Sequence, residues 1–324
     1  MPPANVLASL NAALHRLMAE DPRVVVLGED LLDPYGGAFK VTKGLSTAFP
    51  DRVLTTPISE AGFTGVAVGM AMRGLRPIVE IMFGDFLTLA ADQLLNHATK
   101  YPWMYEGKAS VPLVVRAPMG GRRGYGPTHS QSIEKHFLGM PGLVVVAPSP
   151  FHDPGELLRQ AVLDERPVLF VENKLMYARA LRWPDGWPEG SPDEEGRVGD
   201  LAARTTGGAY PTVQLSHDDF RAADLTIVAY GGMAELAVQA AERLLIEDEV
   251  VCEVVLPSSL TPIDLEPLRG SLGRTGRLLV AEESAPTASW GSELIARVAT
   301  ELYGSLRAAP VKVSARDTPI ANTR

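Results

Sequence analysis

The chain has 324 residues, with 30 Lys and Arg against 39 Asp and Glu and a net charge of -9. That acidic balance excludes a general nucleic-acid binder, which needs a basic face. The single cysteine, Cys252, excludes a disulfide framework and a Cys-based metal site.

From the N-terminus, Val6, Leu7, Leu10, Ala13, Leu14, Leu17 and Met18 recur at three-to-four spacing and predict an amphipathic helix, not a targeting signal. Short apolar runs at 24–27, 77–82, 111–116, 142–147 and 167–171 predict strands, with helical patterns at 86–101 and 154–164 between them. Strands apolar on both faces, alternating with helices, imply a mostly parallel sheet covered on both sides. The stretch 183–196 is rich in Pro, Gly and acid and interrupts the pattern. Strand runs resume at 225–229, 250–256, 277–281 and 310–313, with helices over 233–246 and 289–303. The expected fold is therefore α/β, two doubly wound and mostly parallel-sheet domains at 1–185 and 223–324, joined by a linker at 186–222. No apolar stretch approaches the roughly 20 residues that span a bilayer. A cytoplasmic protein without a membrane partner is expected.

One segment carries a candidate site. Pro57 forces an extended approach, and Ser59 is placed to cap a helix that begins at Glu60. Gly62, Gly65 and Gly69 line one face of that helix with small residues. A glutamate at such an opening sits where water is scarce; its bland alternative is a first-turn acid that serves the helix dipole. Of six histidines, His129 stands apart, because it follows the glycine-rich loop 120–127 and opens His-Ser-Gln-Ser.

In order, the chain presents Gly28-Glu29-Asp30, Tyr35-Gly36-Gly37, the Glu60 segment, Gly74-Leu75-Arg76-Pro77, Val115-Arg116-Ala117-Pro118, His129-Ser130-Gln131-Ser132 and Pro141-Gly142-Leu143. This ordered set resembles the β subunit of the first, decarboxylating component of 2-oxoacid dehydrogenases of the pyruvate, acetoin and branched-chain type. These belong to the transketolase-like superfamily. The resemblance is dense over 4–180 and looser over 224–318. It implies a transketolase-like domain that binds the pyrimidine of thiamine diphosphate, followed by a transketolase C-terminal domain.

On that resemblance Glu60 hydrogen-bonds the pyrimidine ring nitrogen. A buried carboxylic acid there favours the imino tautomer that takes up the thiazolium proton. Phe86 packs on the pyrimidine, Glu29 and Ile58 lie near the cofactor, and His129 stands at the channel mouth as a donor to substrate or acyl acceptor. Leu113, Ala161, Val162 and Asp164 match positions that hold potassium in some relatives, although Arg166 stands where some relatives are uncharged. The sequence has no Gly-Asp-Gly motif, phosphate-binding loop, nucleophile elbow or His-Glu-x-x-His pair. The resemblance therefore implies an α subunit, in an α2β2 heterotetramer, that holds Mg2+ and shares the thiamine diphosphate. The substrate is then a small 2-oxo acid or keto compound, and the acyl acceptor a dihydrolipoyl acyltransferase. A specialised relative that passes a two-carbon or acyl unit to a carrier protein is a second reading. A non-catalytic scaffold is a third, weighed against by the retention of Glu60, Phe86 and His129.

Overall fold

The computed structural model describes residues 3–182 and 195–323. The chain divides into two compact units, Met1–Val146 with Pro154–Ala180 and Ala321–Arg324, and Ala147–Asp153 with Leu181–Ile320.

The first unit opens with α1 (Val6–Glu20), whose N-cap Asn5 accepts a hydrogen bond from the Ala8 N–H at 2.9 Å. The helix buries Val6, Leu10, Ala13, Leu14, Leu17 and Met18, the stripe its spacing predicts. There follow β1 (Val24–Gly28), α2 (Leu45–Ala48), β2 (Val53–Thr55), α3 (Glu60–Met72), β3 (Arg76–Glu80), α4 (Leu87–Asp92), α5 (Tyr101–Met104), β4 (Val114–Met119), β5 (Val144–Val146), α6 (Pro154–Leu163) and β6 (Val168–Asn173). Within this unit the strands run in the order β5-β6-β4-β3-β1-β2, and every neighbouring pair is parallel. Strands β1, β3, β4 and β6 are buried at every residue, which accounts for the Val, Ile and Leu on both their faces. The single helix expected over 86–101 is instead divided. A 3-10 turn at Gly84–Phe86 leads into α4, a π-helical turn at Gln93–Ala98 follows, and α5 starts afresh with Pro102 in its first turn. Proline lacks the N–H and crowds the preceding turn, so it suits a helix start and not an interior.

The second unit contains β7 (Glu195–Val198), β8 (Leu201–Thr206), β9 (Thr212–Ser216), β10 (Leu225–Ala229), α7 (Ala234–Asp248), β11 (Cys252–Pro257), β12 (Ser259–Thr261), α8 (Glu266–Thr275), β13 (Leu278–Ala281), α9 (Trp290–Glu301) and β14 (Val311–Val313). Its sheet runs β14-β13-β10-β11-β9-β8-β7. The β10, β11, β13 and β14 pairings are parallel, while β9, β8 and β7 are added antiparallel, so this sheet is mixed. The linker expected over 186–222 thus contains three strands between 195 and 216; its part at 186–194 lies outside the described residues. In β8 the inward positions are Leu201, Ala203 and Thr205, too small and polar a set to stand out as a strand in the sequence. Cys252 is free and buried in a core with Phe151, Leu215, Ile227 and Leu256. Among the described residues no helix is long and apolar enough to cross a membrane.

Candidate active site

In a parallel sheet all strands end on the same edge, and ligands of open α/β sheets sit beyond those carboxyl ends. In the first unit β1 ends into Glu29, β2 into the turn before Glu60, β3 into Phe83–Phe86, β4 into the loop at 120–131, and β6 into Lys174. The chemistry-bearing residues are therefore delivered to one edge.

Glu29 and Glu60 are 6% and 5% exposed. Burial pushes the Glu29 carboxyl up to about 7, and the charges of Glu60 and Asp30 push the same way. Its Oε1 is buried without a hydrogen-bond partner. A buried orphan oxygen is costly unless a ligand or a proton satisfies it. Ser59 occupies the N-cap of α3 but makes no side-chain capping bond. Of the three glycines expected to permit close packing, two are closely approached within this chain: a Cβ at Gly62 would lie 2.7 Å from Ser59 Oγ, and one at Gly65 2.9 Å from Gln93 Oε1. Gly69 faces open space.

A second group is aromatic. The His129 ring meets Phe83 at 4.7 Å and Phe86 at 5.1 Å between centroids, both edge-on, and Phe83 in turn packs against Phe39 and Tyr125. The Thr128 hydroxyl lies 3.0 Å from His129 Nδ1. Beneath the loop, the fully buried Lys174 donates from Nζ to the His129 carbonyl and faces the Phe83 and Tyr125 rings. Asp85 Oδ2 accepts from the Gln131 N–H at 3.3 Å, and burial raises its pKa against the pull of that N–H, Lys174 and His129. The Ala321 and Asn322 carbonyls accept from the N–H groups of Arg122 and Gly124 on the same loop. Lys174 and Asp85 thus hold the backbone that directly follows the His129 side chain, at the carbonyl of 129 and the N–H of 131. Sequence reasoning missed both, although a lysine directly after a fully buried strand was a signal available to it. Ile58 is 84% exposed and joins neither group.

The floor of the site is a buried polar row. Arg116 lies between Glu80 (Nη1 to Oε2, 2.8 Å) and Glu172 (Nε to Oε1, 2.7 Å; Nη2 to Oε2, 2.8 Å), and the Tyr177 hydroxyl donates to Glu172 Oε2 at 2.7 Å. Burial opposes the charge on Arg116, but the two carboxylates outweigh it and hold its pKa above the ordinary value. Burial raises Glu80, and burial with the Glu172 charge raises Tyr177, so the phenol keeps its proton. Gly37 covers Glu80 at φ +77, and a Cβ there would stand 2.5 Å from Glu80 Oε1.

The four residues matched to a potassium site do not form one. The Leu113 carbonyl accepts from the Val168 N–H at 2.8 Å. The Val162 carbonyl accepts from Arg76 Nη1 at 2.7 Å, with that of Asp164 at 3.5 Å from the same atom. The Asp164 carboxylate is gripped by Arg166 through its backbone N–H, Nε and Nη2. Ala161 is buried in the last turn of α6. The Arg76 guanidinium therefore engages the carbonyls of two of the four matched residues and Arg166 the Asp164 carboxylate, and the residues present do not fit potassium.

Together, two α/β sheets with a buried carboxylate pair and an aromatic loop at the strand ends define the transketolase-like class. Residues 3–179 match the model of the transketolase pyrimidine binding domain, and residues 219–323 that of the transketolase C-terminal domain. The chain is 38% identical over 315 residues to the pyruvate dehydrogenase E1 component subunit beta of Leifsonia xyli, covering 97% of this chain and 87% of the relative. It is 35% identical to the acetoin:2,6-dichlorophenolindophenol oxidoreductase subunit beta of Cupriavidus necator, covering 98% and 90%. Among solved structures, a split-gene transketolase described as an inactive β4 tetramer matches with TM-score 0.69 and 28% identity, over 97% of this chain and 90% of that one. The chain belongs to the transketolase-like family of 2-oxoacid dehydrogenase E1 β subunits.

The Glu29 shift has a measurable consequence. Because its folded value of about 7 lies above the ordinary 4.5, the folded chain holds this proton more tightly than the unfolded one. The associated stability is complete below about pH 4.5 and is lost as the pH rises to about 7, by up to about 3 kcal/mol. Glu29→Gln is expected to match the parent near pH 4.5 and to exceed it at pH 8 by about 1–3 kcal/mol. Urea melts of the chain at the two pH values check this; equal stability at pH 8 would remove the buried-proton account.

Proposed function

We propose that this chain supplies the pyrimidine half of a thiamine-diphosphate site in a 2-oxoacid dehydrogenase, and that an α subunit supplies the half that holds diphosphate and Mg2+. The observation that carries the reading is the buried pair Glu29 and Glu60, with one orphan oxygen, beside the carboxyl ends of the strands. A ring bearing a nitrogen donor would satisfy that oxygen. When bound, the thiazolium supplies the nucleophilic carbon and the electron sink for decarboxylation.

The chain's own residues then have distinct tasks. Glu60 presents its carboxyl to the ring nitrogen from the first turn of α3, as the group that would exchange a proton with it. Glu29, whose carboxyl burial pushes up to about 7, is only partly ionised near neutral pH and so limits the charge beside it. Phe86 offers an aromatic edge, and the ring of His129 packs against it. His129 Nε2 is the candidate donor to a substrate carboxylate or to the acyl acceptor, with Nδ1 engaged by Thr128. The acceptor is a lipoyl group of a dihydrolipoyl acyltransferase.

The test separates the two half-sites. Purified chain with thiamine diphosphate, Mg2+ and a panel of 2-oxo acids is expected to show no decarboxylation, and addition of the α subunit is expected to restore it with an artificial electron acceptor. Turnover by the single chain would overturn the divided site. An α/β assembly that binds the cofactor but never turns over would leave only a scaffold.

A further inference from the structure

We propose that Arg76 is a built-in cation at the end of α6, standing in for a monovalent metal ion, so that the protein neither binds nor needs potassium there. The last carbonyls of an α-helix lack intrahelical partners and carry the negative end of its dipole, which a cation satisfies. At the end of α6 (Pro154–Leu163) that cation is the guanidinium of Arg76, reaching the carbonyls of Val162 and Asp164 and pairing through Nη2 with the Glu165 carboxylate. Its side chain is 10% exposed and the contact with the Val162 carbonyl is buried, while Glu165 stands at the surface. Two carboxylates, Asp164 and Glu165, meet two guanidiniums, Arg166 and Arg76, and the local charge is already balanced. A further cation would enter a neutral site and face an arginine within contact distance, and both effects oppose binding.

The arrangement also ties distant parts of the fold together. Arg76 opens β3, where its N–H donates to the Arg23 carbonyl at 2.9 Å. Four residues further on the same strand stands Glu80 of the buried row, followed by the turn that carries Phe83 and Phe86. The amino end of the strand that feeds the site is thus pinned to α6 by a side chain. In a site built for a metal, an exchangeable ion would do this.

Thermal melts of the full chain in KCl, NaCl and tetramethylammonium chloride at equal ionic strength test the idea. The parent chain is expected to melt within about 1 °C in all three salts, because it has no saturable ion site. Arg76→Ala leaves the buried Val162 carbonyl without its charged donor, and a loss in Tm of about 5 °C is expected. That variant is expected to recover several degrees saturably with KCl but not with tetramethylammonium. Arg76→Lys keeps a tethered charge and is expected to stay insensitive to the salt. A saturable rise in Tm of the parent chain with KCl would overturn the proposal, as would an Arg76→Ala chain as stable as the parent in every salt. Should Arg76→Ala fail to fold, the parent titration and Arg76→Lys still decide.

Discussion

Glu60→Gln is expected to lower turnover of the assembled α/β enzyme by about 10²-fold or more, the scale of a removed acid–base group. Glutamine preserves the size of the side chain in a position only 5% exposed, so folding and assembly are expected to survive. The amide still donates a hydrogen bond, but it cannot transfer a proton to a ring nitrogen. The loss should therefore appear in kcat and in exchange of the thiazolium proton, with cofactor affinity changed far less. Exchange at the parent rate in the assembled variant would remove Glu60 from the chemistry.

Arg116→Met is the change expected to cost the fold most. Arg116 is 1% exposed and is the shared partner of Glu80 and Glu172. Methionine fills much of the volume but leaves two buried carboxylates facing each other without a cation. Breaking a buried pair in this way costs about 3–5 kcal/mol. The penalty is expected to shrink as the pH falls, because Glu80, whose pKa burial already raises, then takes up a proton. Urea melts at pH 7.5 and 5.5 measure both parts. A variant within about 1 kcal/mol of the parent at pH 7.5 would show that packing alone, and not this charge row, holds the centre of the sheet.

The parts of this molecule legible in the sequence are those written in local patterns. Buried parallel strands leave short runs rich in Val, Ile and Leu, and α1 leaves a stripe; both are present where the spacing places them. Glu60 at a helix start follows from Pro57 and Ser59, which are local signals as well. His129 stood out by the glycine-rich loop before it, whereas Glu29 and Phe86 could be singled out only through family resemblance, since neither has a spacing of its own. The contacts that escaped are long-range. Arg76 meets Val162 across 86 positions, and Lys174 meets the His129 carbonyl across 45. No periodicity encodes such a meeting; it depends on which strands become neighbours. The strands β7 and β8 escaped for a different reason, because Glu-Gly-Arg-Val and Leu-Ala-Ala-Arg-Thr-Thr have too weak a hydrophobic alternation to be separated from loop.

The charged row across β3, β4 and β6 also bears on how the sheet finds its alignment. Parallel strands such as Val24–Gly28 and Val144–Val146 are apolar on both faces, so sliding one past another by a residue exchanges one aliphatic side chain for the next. Hydrophobicity alone barely distinguishes the correct pairing from a slipped one. Glu80, Arg116 and Glu172 do distinguish it: Glu80 pairs in register with Arg116, and a shift by one residue would turn a charge to the opposite face, into aliphatic surroundings without a partner. A misaligned sheet is thus penalised by several kcal/mol at a single step, and the row works as the reading frame of an otherwise repetitive β-sheet.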